Sequence, residues 1–547
     1  MKLPRLFSNG MVLQHGKPIP VWGWATPHQR VEVALAGRTS ETQADAKGTW
    51  MVKLPKLSAA EHLGARLCLS VRADEELVID DVLLGDVWLC AGGAELALPL
   101  ASFPRTARSA SSAAERSVPP IRFFSIAAVA AARPLDDVQA DARWQPCTPA
   151  QAAAISAIAC HSARGIHETL GIPVGIILAS APAERTASWI SRAAIAGEHR
   201  LRGLLERAEL DGATLSADSP AYRKLFKAWQ EKARHADPGN AGVRRGWHRP
   251  ILDDRSWPTI ALPATWQAAG LDCAGAVWFR RSIAIPKPWS QRPLVLSLGA
   301  IADRATVYIN GTALPAAAMP AAEPELPDIT VRIPARLVVP GTMTIAVRVF
   351  SHSGPGGLVG PASAMSCAVE AHASAKGRPA RPLAPIRLPG RWRYQLERRL
   401  EIKTSLPPPP LHAAHVDVPA GLNNGMIQPL IPYGLRGAIW HHRPDRGGTS
   451  EICQLLLETL IRDWRLAWGI GDFPVGVVHL PGEAVAGGEP SKRGAAPPHD
   501  PPWPATAPAR VGIIPACDLP LAGAHGVADP REVGRRLAEW ASLEATR

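Results

Sequence analysis

The stretch Val87-Trp88-Leu89-Cys90-Ala91-Gly92-Gly93-Ala94-Glu95-Leu96-Ala97-Leu98-Pro99-Leu100 decides how this chain is read. An apolar run ends in two glycines and a new segment starts beyond them. The run suits a buried strand, and the glycines suit a tight turn. A strand breaking sharply into a new segment is the geometry on which many hydrolases mount a nucleophile. A nucleophile there needs an oxygen or a sulfur on its side chain. Position 94, at the turn, is alanine. The pattern predicts the scaffold of a hydrolase site without its reacting atom.

Outward from this turn the chain reads as α/β. Val82 to Cys90 suits a parallel strand covered on both faces. A helical stretch is expected over Gln151 to Leu170, and a further buried strand over Val174 to Leu178. Residues 1–80 read as all-β. Arg30 to Leu35 alternates apolar and polar, and Thr49 to Leu54 follows the turn signal Lys47-Gly48. Near residue 245 the pattern returns to β. Ala276 to Ile283, Ala305 to Gly311 and Thr344 to Phe350 are strand-like, and Asn310-Gly311 is a hairpin turn signal. The run Pro407-Pro408-Pro409-Pro410 predicts a stiff spacer. Pro481 to Arg510, rich in Pro, Gly and Ala, predicts a flexible loop.

The 547 residues exceed one simple core and suggest three or four domains. No apolar run of membrane-spanning length occurs. The opening Met1-Lys2-Leu3-Pro4-Arg5 lacks an apolar signal segment, so the chain as given reads as cytoplasmic, wrongly started or a mature form. The formal charge of +12 is carried by Arg scattered among Ala and Pro. Composition bias is the plain reading, and no nucleic-acid motif accompanies the charge. The eight cysteines, Cys68, Cys90, Cys147, Cys160, Cys273, Cys367, Cys453 and Cys517, include no CxxC pair. Free buried thiols are expected, with no metal and no disulfide framework.

Several segments resemble, in order and nearly end to end, the sialate O-acetylesterase family, carbohydrate esterases of the SGNH-hydrolase type. They are Leu6 to Gln14, Pro20-Val21-Trp22-Gly23-Trp24, the 87–100 stretch, Asn424-Gly425-Met426-Ile427 with Pro429-Leu430, Arg436-Gly437-Ala438-Ile439-Trp440, Ala467-Trp468-Gly469 with Gly471-Asp472-Phe473-Pro474, and Glu532 to Ala538. The resemblance implies an SGNH/flavodoxin-like three-layer α/β domain in two parts, 81–244 and 411–547. It implies an N-terminal β-sandwich over 1–80 and an inserted galactose-binding-like β-sandwich over 245–370. The latter rests on Asp253-Asp254, Ser256-Trp257 and Val277-Trp278-Phe279-Arg280. A Pro-rich connector is expected over 371–410. An acetylated sugar or glycan is the implied partner. No cofactor, nucleic acid or membrane is implied.

The departures from the family pattern fall on chemistry. The nucleophilic Ser falls on Ala94, and its neighbours on Gly93 and Glu95. The oxyanion turn falls on Ala181-Pro182-Ala183-Glu184, ahead of Trp189. The YQGESN segment falls on His441-His442-Arg443-Pro444-Asp445-Arg446, so its Asn is Arg446. Counting back from Glu532 puts the catalytic His on Gly526, with His525 one place early. The nearest acid before His525 is Asp518.

Three substitutes for the nucleophile present themselves: Cys90 (or a core thiol), Ser180 (or a turn serine), and Glu95 as base for a water (or a cap favoured by a helix dipole). His441 and His442, with Asp445, His479 and His525, invite a metal reading, against which polar loop histidines are the plain one. Of 18 tryptophans, Trp22, Trp24, Trp50, Trp88, Trp189, Trp440 and Trp464 read as core, while Trp257, Trp266 and Trp278 lie in the insert. Three functions stay open. One is a decayed esterase retaining glycan binding. The second is a hydrolase using His525 or His442 with Glu95 or Asp518. The third is a non-enzymatic binding module.

Overall fold

The computed structural model describes residues 1–103, 119–139, 141–148, 151, 153–183, 185–237, 239–271, 273–302, 304–315, 317–318, 328–351, 356–360, 362–370, 384–400, 410–442, 445, 450–479, 508–516, 518–519, 521–522 and 527–547. The chain divides into two compact units, Met1–Ala217 with Leu411–Arg547, and Asp218–Pro410. Among the described residues no helix is long and apolar enough to cross a membrane.

The first unit is α/β. Its parallel strands lie in the order Val511–Pro515, Val475–His479, Gly437–His442, Glu76–Gly92, Val174–Ser180, Ile121–Ile126, and the short Trp144–Pro146 closes the edge antiparallel. Counted along the chain, the parallel strands run 2-3-1-4-5-6, whereas a flavodoxin-like sheet runs 2-1-3-4-5. The unbroken apolar strand Val174–Ser180 takes the place beside Glu76–Gly92. Ile121–Ile126 is displaced outward, where Trp144–Pro146 covers its edge.

Helices pack on both faces. Ala157–Leu170 and Pro530–Thr546 share one core with Trp88, Cys90, Ile176 and Ile439, and Ser450–Trp468 shares another with Leu89, Ile177, Ala438 and Trp440. The first two helices meet closely at glycines: a Cβ on Gly165 would stand 2.5 Å from that of Ala538. The helix expected from Gln151 begins at Ala157 instead. Ser156 bridges to Pro99 as extended backbone, and its hydroxyl accepts the Ala159 N–H at 3.1 Å, which sets the start.

The strand Glu76–Gly92 has 17 residues and serves two sheets. Its first part pairs antiparallel with Leu67–Arg72, its last part parallel with Val174–Ser180 and Gly437–His442. The expected boundary at residue 80 therefore falls inside one strand. Val31, Val33, Trp50 and Val71 accordingly belong to the same core as Leu89, Trp440 and Leu460.

The second unit carries two antiparallel sheets around one core. The larger runs Thr259–Leu262, Gly390–Leu400, Ala274–Ile285, Gly341–Ser351, Arg304–Ile309, Thr312–Leu314. The other is built on Leu294–Ala302, paired with Asp328–Ile333 and Met365–Val369. Val277, Phe279, Val347 and Val349 from one meet Leu296, Leu298, Val331 and Met365 from the other. The hairpin at Asn310-Gly311 forms as expected, both residues at positive φ (47° and 87°). Residues 390–400, expected in a connector, form a strand instead, because Trp392, Tyr394 and Leu396 alternate into the core. Trp257, Trp266 and Trp278 are buried, so all three pack rather than present a sugar-stacking face.

Candidate functional site

In open α/β sheets, ligands meet the crevice outside the carboxyl ends of the strands, where the strand order reverses. Here that place lies between Glu76–Gly92 and Gly437–His442. Gly92 pairs with His441 on one side and Ser180 on the other, so three strands end together. Gly92 sits at φ 135°, and a Cβ there would fall on the His441 carbonyl oxygen. Only glycine fits both conditions.

Beyond it, Gly93 leads into the 3-10 turn Ala94–Ala97. The turn is pinned at both ends. Ala181 N–H donates to Gly92 O at 3.0 Å, and Ala157 N–H donates to Leu98 O at 2.9 Å. The turn that the sequence places around position 94 is therefore built, and Ala94 stands on it solvent-exposed. Glu95 is half-buried, and its carboxylate folds back to 2.9 Å from where a Cβ on Gly93 would stand. A four-residue turn carries little helix dipole to favour that charge.

At the positions the resemblance assigns to the oxyanion turn, Pro182 is exposed and Ala183 half-buried after the strand Val174–Ser180, and neither carries a side-chain donor. Ser180 closes that strand, half-buried. Cys90 is fully buried, and burial pushes its thiol up to about 12, which keeps it protonated.

His441 and His442 point to opposite sheet faces, as strand geometry requires, and are 1% and 2% exposed. His442 accepts a long hydrogen bond from the Trp440 indole at 3.4 Å and stacks on His479 at 6.3 Å between ring centroids. Neither ring nitrogen of His441 has a hydrogen-bond partner among the described residues. Burial lowers the His441 pKa to about 4. Burial, reinforced by His479 and His441, lowers that of His442 to about 3. Both are neutral imidazoles of low basicity near pH 7.

Asp445 accepts hydrogen bonds from Thr186 N–H at 3.0 Å and Thr186 Oγ1 at 2.6 Å, tying together two loops at this end of the sheet. Burial raises its pKa. Asp518 is exposed, and Arg536 holds both its oxygens at 2.8 and 2.7 Å, which keeps the carboxylate ionised. Among the described residues no group of three His, Cys, Asp or Glu is placed to hold a metal ion. Arg446, His525 and Gly526 lie outside the described residues.

The structure thus brings Gly93, Ala94, Glu95, Pro182, Ala183 and His442 to one end of the sheet. The sequence reading missed the Asp445–Thr186 tie and the His442–His479 stack. Strand register sets the latter, since His442 and His479 are direct partners.

The other segments that carry the resemblance work as scaffolding. Asn424-Gly425-Met426-Ile427 lies in a buried π-helical turn, where a Cβ on Gly425 would fall on the Val129 carbonyl. The Trp189 carbonyl accepts from both Asn423 and Trp464, each at 3.1 Å. Arg436 of the Arg-Gly-Ala-Ile-Trp segment reaches Asp86 at 2.7 Å.

No family model matches the chain. Sialate O-acetylesterase from Homo sapiens is 29% identical over 201 residues, 34% of this chain and 38% of that protein. The chain thus spans well under half the length of that relative. A β-glucuronidase from Paenibacillus borealis is 32% identical over 96 residues, 16% of this chain and 15% of that protein. The crystal structure of a carbohydrate acetylesterase from Xanthomonas citri aligns with a TM-score of 0.50 at 18% identity, covering 100% of this chain and 75% of that one. Over about a third of its length the chain is similar to the sialate O-acetylesterases, and the last likeness is one of fold.

Proposed function

We propose that this chain is a sialate O-acetylesterase-like protein whose acyl-transfer site has decayed and which keeps the capacity to meet an acetylated sugar. On this reading the first unit is an SGNH-hydrolase-type scaffold and the two-sheet unit a galactose-binding-like insertion. One observation supports the proposal: Gly92 is forced against His441 where the strand breaks into a 3-10 turn, and the residue at the place the resemblance gives to the nucleophile is Ala94. Acyl transfer needs a nucleophile, a base, a carboxylate to orient the base, and oxyanion donors. Each donor is worth roughly 3 kcal/mol, and loss of the nucleophile or the base alone costs several orders of magnitude in rate. A methyl group supplies none of these. Nor do Pro182 and Ala183 supply side-chain donors.

A relocated triad through His442 and Asp518 finds no support. His442 is 2% exposed with a pKa near 3, and Asp518 is held by Arg536. The proposal is tested by acetate release from 4-nitrophenyl acetate and from a 9-O-acetylated sialoside. Rates equal to those of heat-denatured protein are expected; turnover well above that control would refute decay.

A further inference from the structure

The excess positive charge of this chain sits in one unit. Asp218–Pro410 holds 26 Lys and Arg against 13 Asp and Glu, whereas the remainder holds 34 against 35. A uniform compositional bias would not divide this way. Part of the charge is organised. Arg280 donates to the carbonyls of Trp247 and, at 3.2 Å, Arg249, while Arg393 donates to those of Arg255 at 2.9 Å and Trp257 at 3.2 Å. These two strand residues, both paired to Asp254, staple residues 247–257 onto the larger sheet.

The stapled segment and the short helix before it present Arg244, Arg245 and Arg249, all exposed and without a carboxylate partner among the described residues. Arg245 is steadied 5.3 Å over the Trp247 ring. Burial, and then the field of Arg249 and Arg280, lowers the pKa of His248 between them.

We propose that the Arg244–Arg245–Arg249 surface binds a polysaccharide bearing repeated carboxylates. This inference rests on the reading of the chain as a carbohydrate-esterase relative. Guanidinium groups on a fixed backbone match carboxylates as planar forks. Three such groups within six residues favour a polymer, because one carboxylate gains little against salt while several together gain more. Trp247 and Trp257 are 8% and 9% exposed, so these two rings offer no platform for stacking bases.

The test uses the full chain in a binding titration with polysialate and polygalacturonate, beside neutral dextran and a DNA duplex at equal ionic strength. Both acidic glycans are expected to bind, with affinity falling as salt rises, and dextran is not. The variant R244S/R245S/R249S is expected to bind about tenfold more weakly. The variant K287S/R292S, in the same unit, is expected to bind as the parent does. Failure of either glycan to bind, equal binding of dextran, tighter binding of DNA, or parental affinity in the triple variant would each overturn the proposal. Acetate release is not read in this experiment, so its failure leaves the esterase reading where it stood.

Discussion

The two ends of the parallel sheet differ in how their buried polar groups are treated. At the amino end Asp86 is fully buried. Its Oδ1 accepts from Arg436 at 2.7 Å and Gln14 at 3.0 Å and lies 3.0 Å from His15, while Gln14 also accepts the Val87 N–H at 2.8 Å. Burial alone would raise its pKa, but the hydrogen bonds of His15 and Gln14 and the charge of Arg436 hold it low. At the carboxyl end the His441 ring makes no hydrogen bond among the described residues, and Ala94 on the turn offers only a methyl group. The amino-end network joins chain segments 72 and 350 residues apart through Asp86 Oδ1, while Asp86 Oδ2 has no hydrogen-bond partner among the described residues. The carboxyl end is less evenly paired: Asp445 accepts from Thr186, while His441 has no hydrogen-bond partner among the described residues.

The contrast predicts a graded series. Asp86→Ala would remove the carboxylate that half-buried Arg436 and buried Gln14 share and is expected to cost about 3–5 kcal/mol in urea unfolding. A loss under about 1 kcal/mol would show that the amino-end network is not structural. Gly92→Ala is expected to cost about 2–4 kcal/mol, since it combines positive-φ strain with a clash on a backbone carbonyl. Ala94→Ser, two residues away but exposed, is expected to change stability by less than about 0.5 kcal/mol and to restore no turnover. A large stability loss at Ala94 would erase the distinction between turn and chemistry.

The same comparison extends to pH. His441 has a folded pKa near 4, below that of the unfolded chain, so between about pH 6.5 and 4 the unfolded state binds the extra proton. Stability is then complete above pH 6.5 and falls as the pH drops, by up to about 1.4 kcal/mol per pH unit for this residue. His441→Phe is expected to remove that share of the slope and to leave stability at pH 7 unchanged or about 1 kcal/mol higher. An unchanged slope in pH-dependent unfolding would mean that His441 is solvated or paired.

Much of this was legible in the sequence, and the reasons differ by element. Strands with strict alternation, Arg30–Leu35 and Thr49–Leu54, were placed to the residue because one buried face fixes both ends. The apolar run before Gly92-Gly93 identified the turn, since a glycine pair at a strand end leaves few alternatives. The division of the N-terminal region was not legible. Nothing local in Glu76–Gly92 says that its two halves pair with different sheets. The strand Gly390–Leu400 was hidden by the Arg and Pro residues around it, although Trp392, Tyr394 and Leu396 carry the alternation. The His442–His479 stack was out of reach because register between distant segments creates it.

The central claim is that Ala94 closes the acyl-transfer route on a turn that is otherwise complete. Intact-mass spectrometry of the full chain, quenched during incubation with 4-nitrophenyl acetate and with a 9-O-acetylated sialoside, tests it most directly. The account predicts an unmodified chain and no acetate above the heat-denatured control. An acetyl adduct that forms and then discharges with acetate release would contradict it.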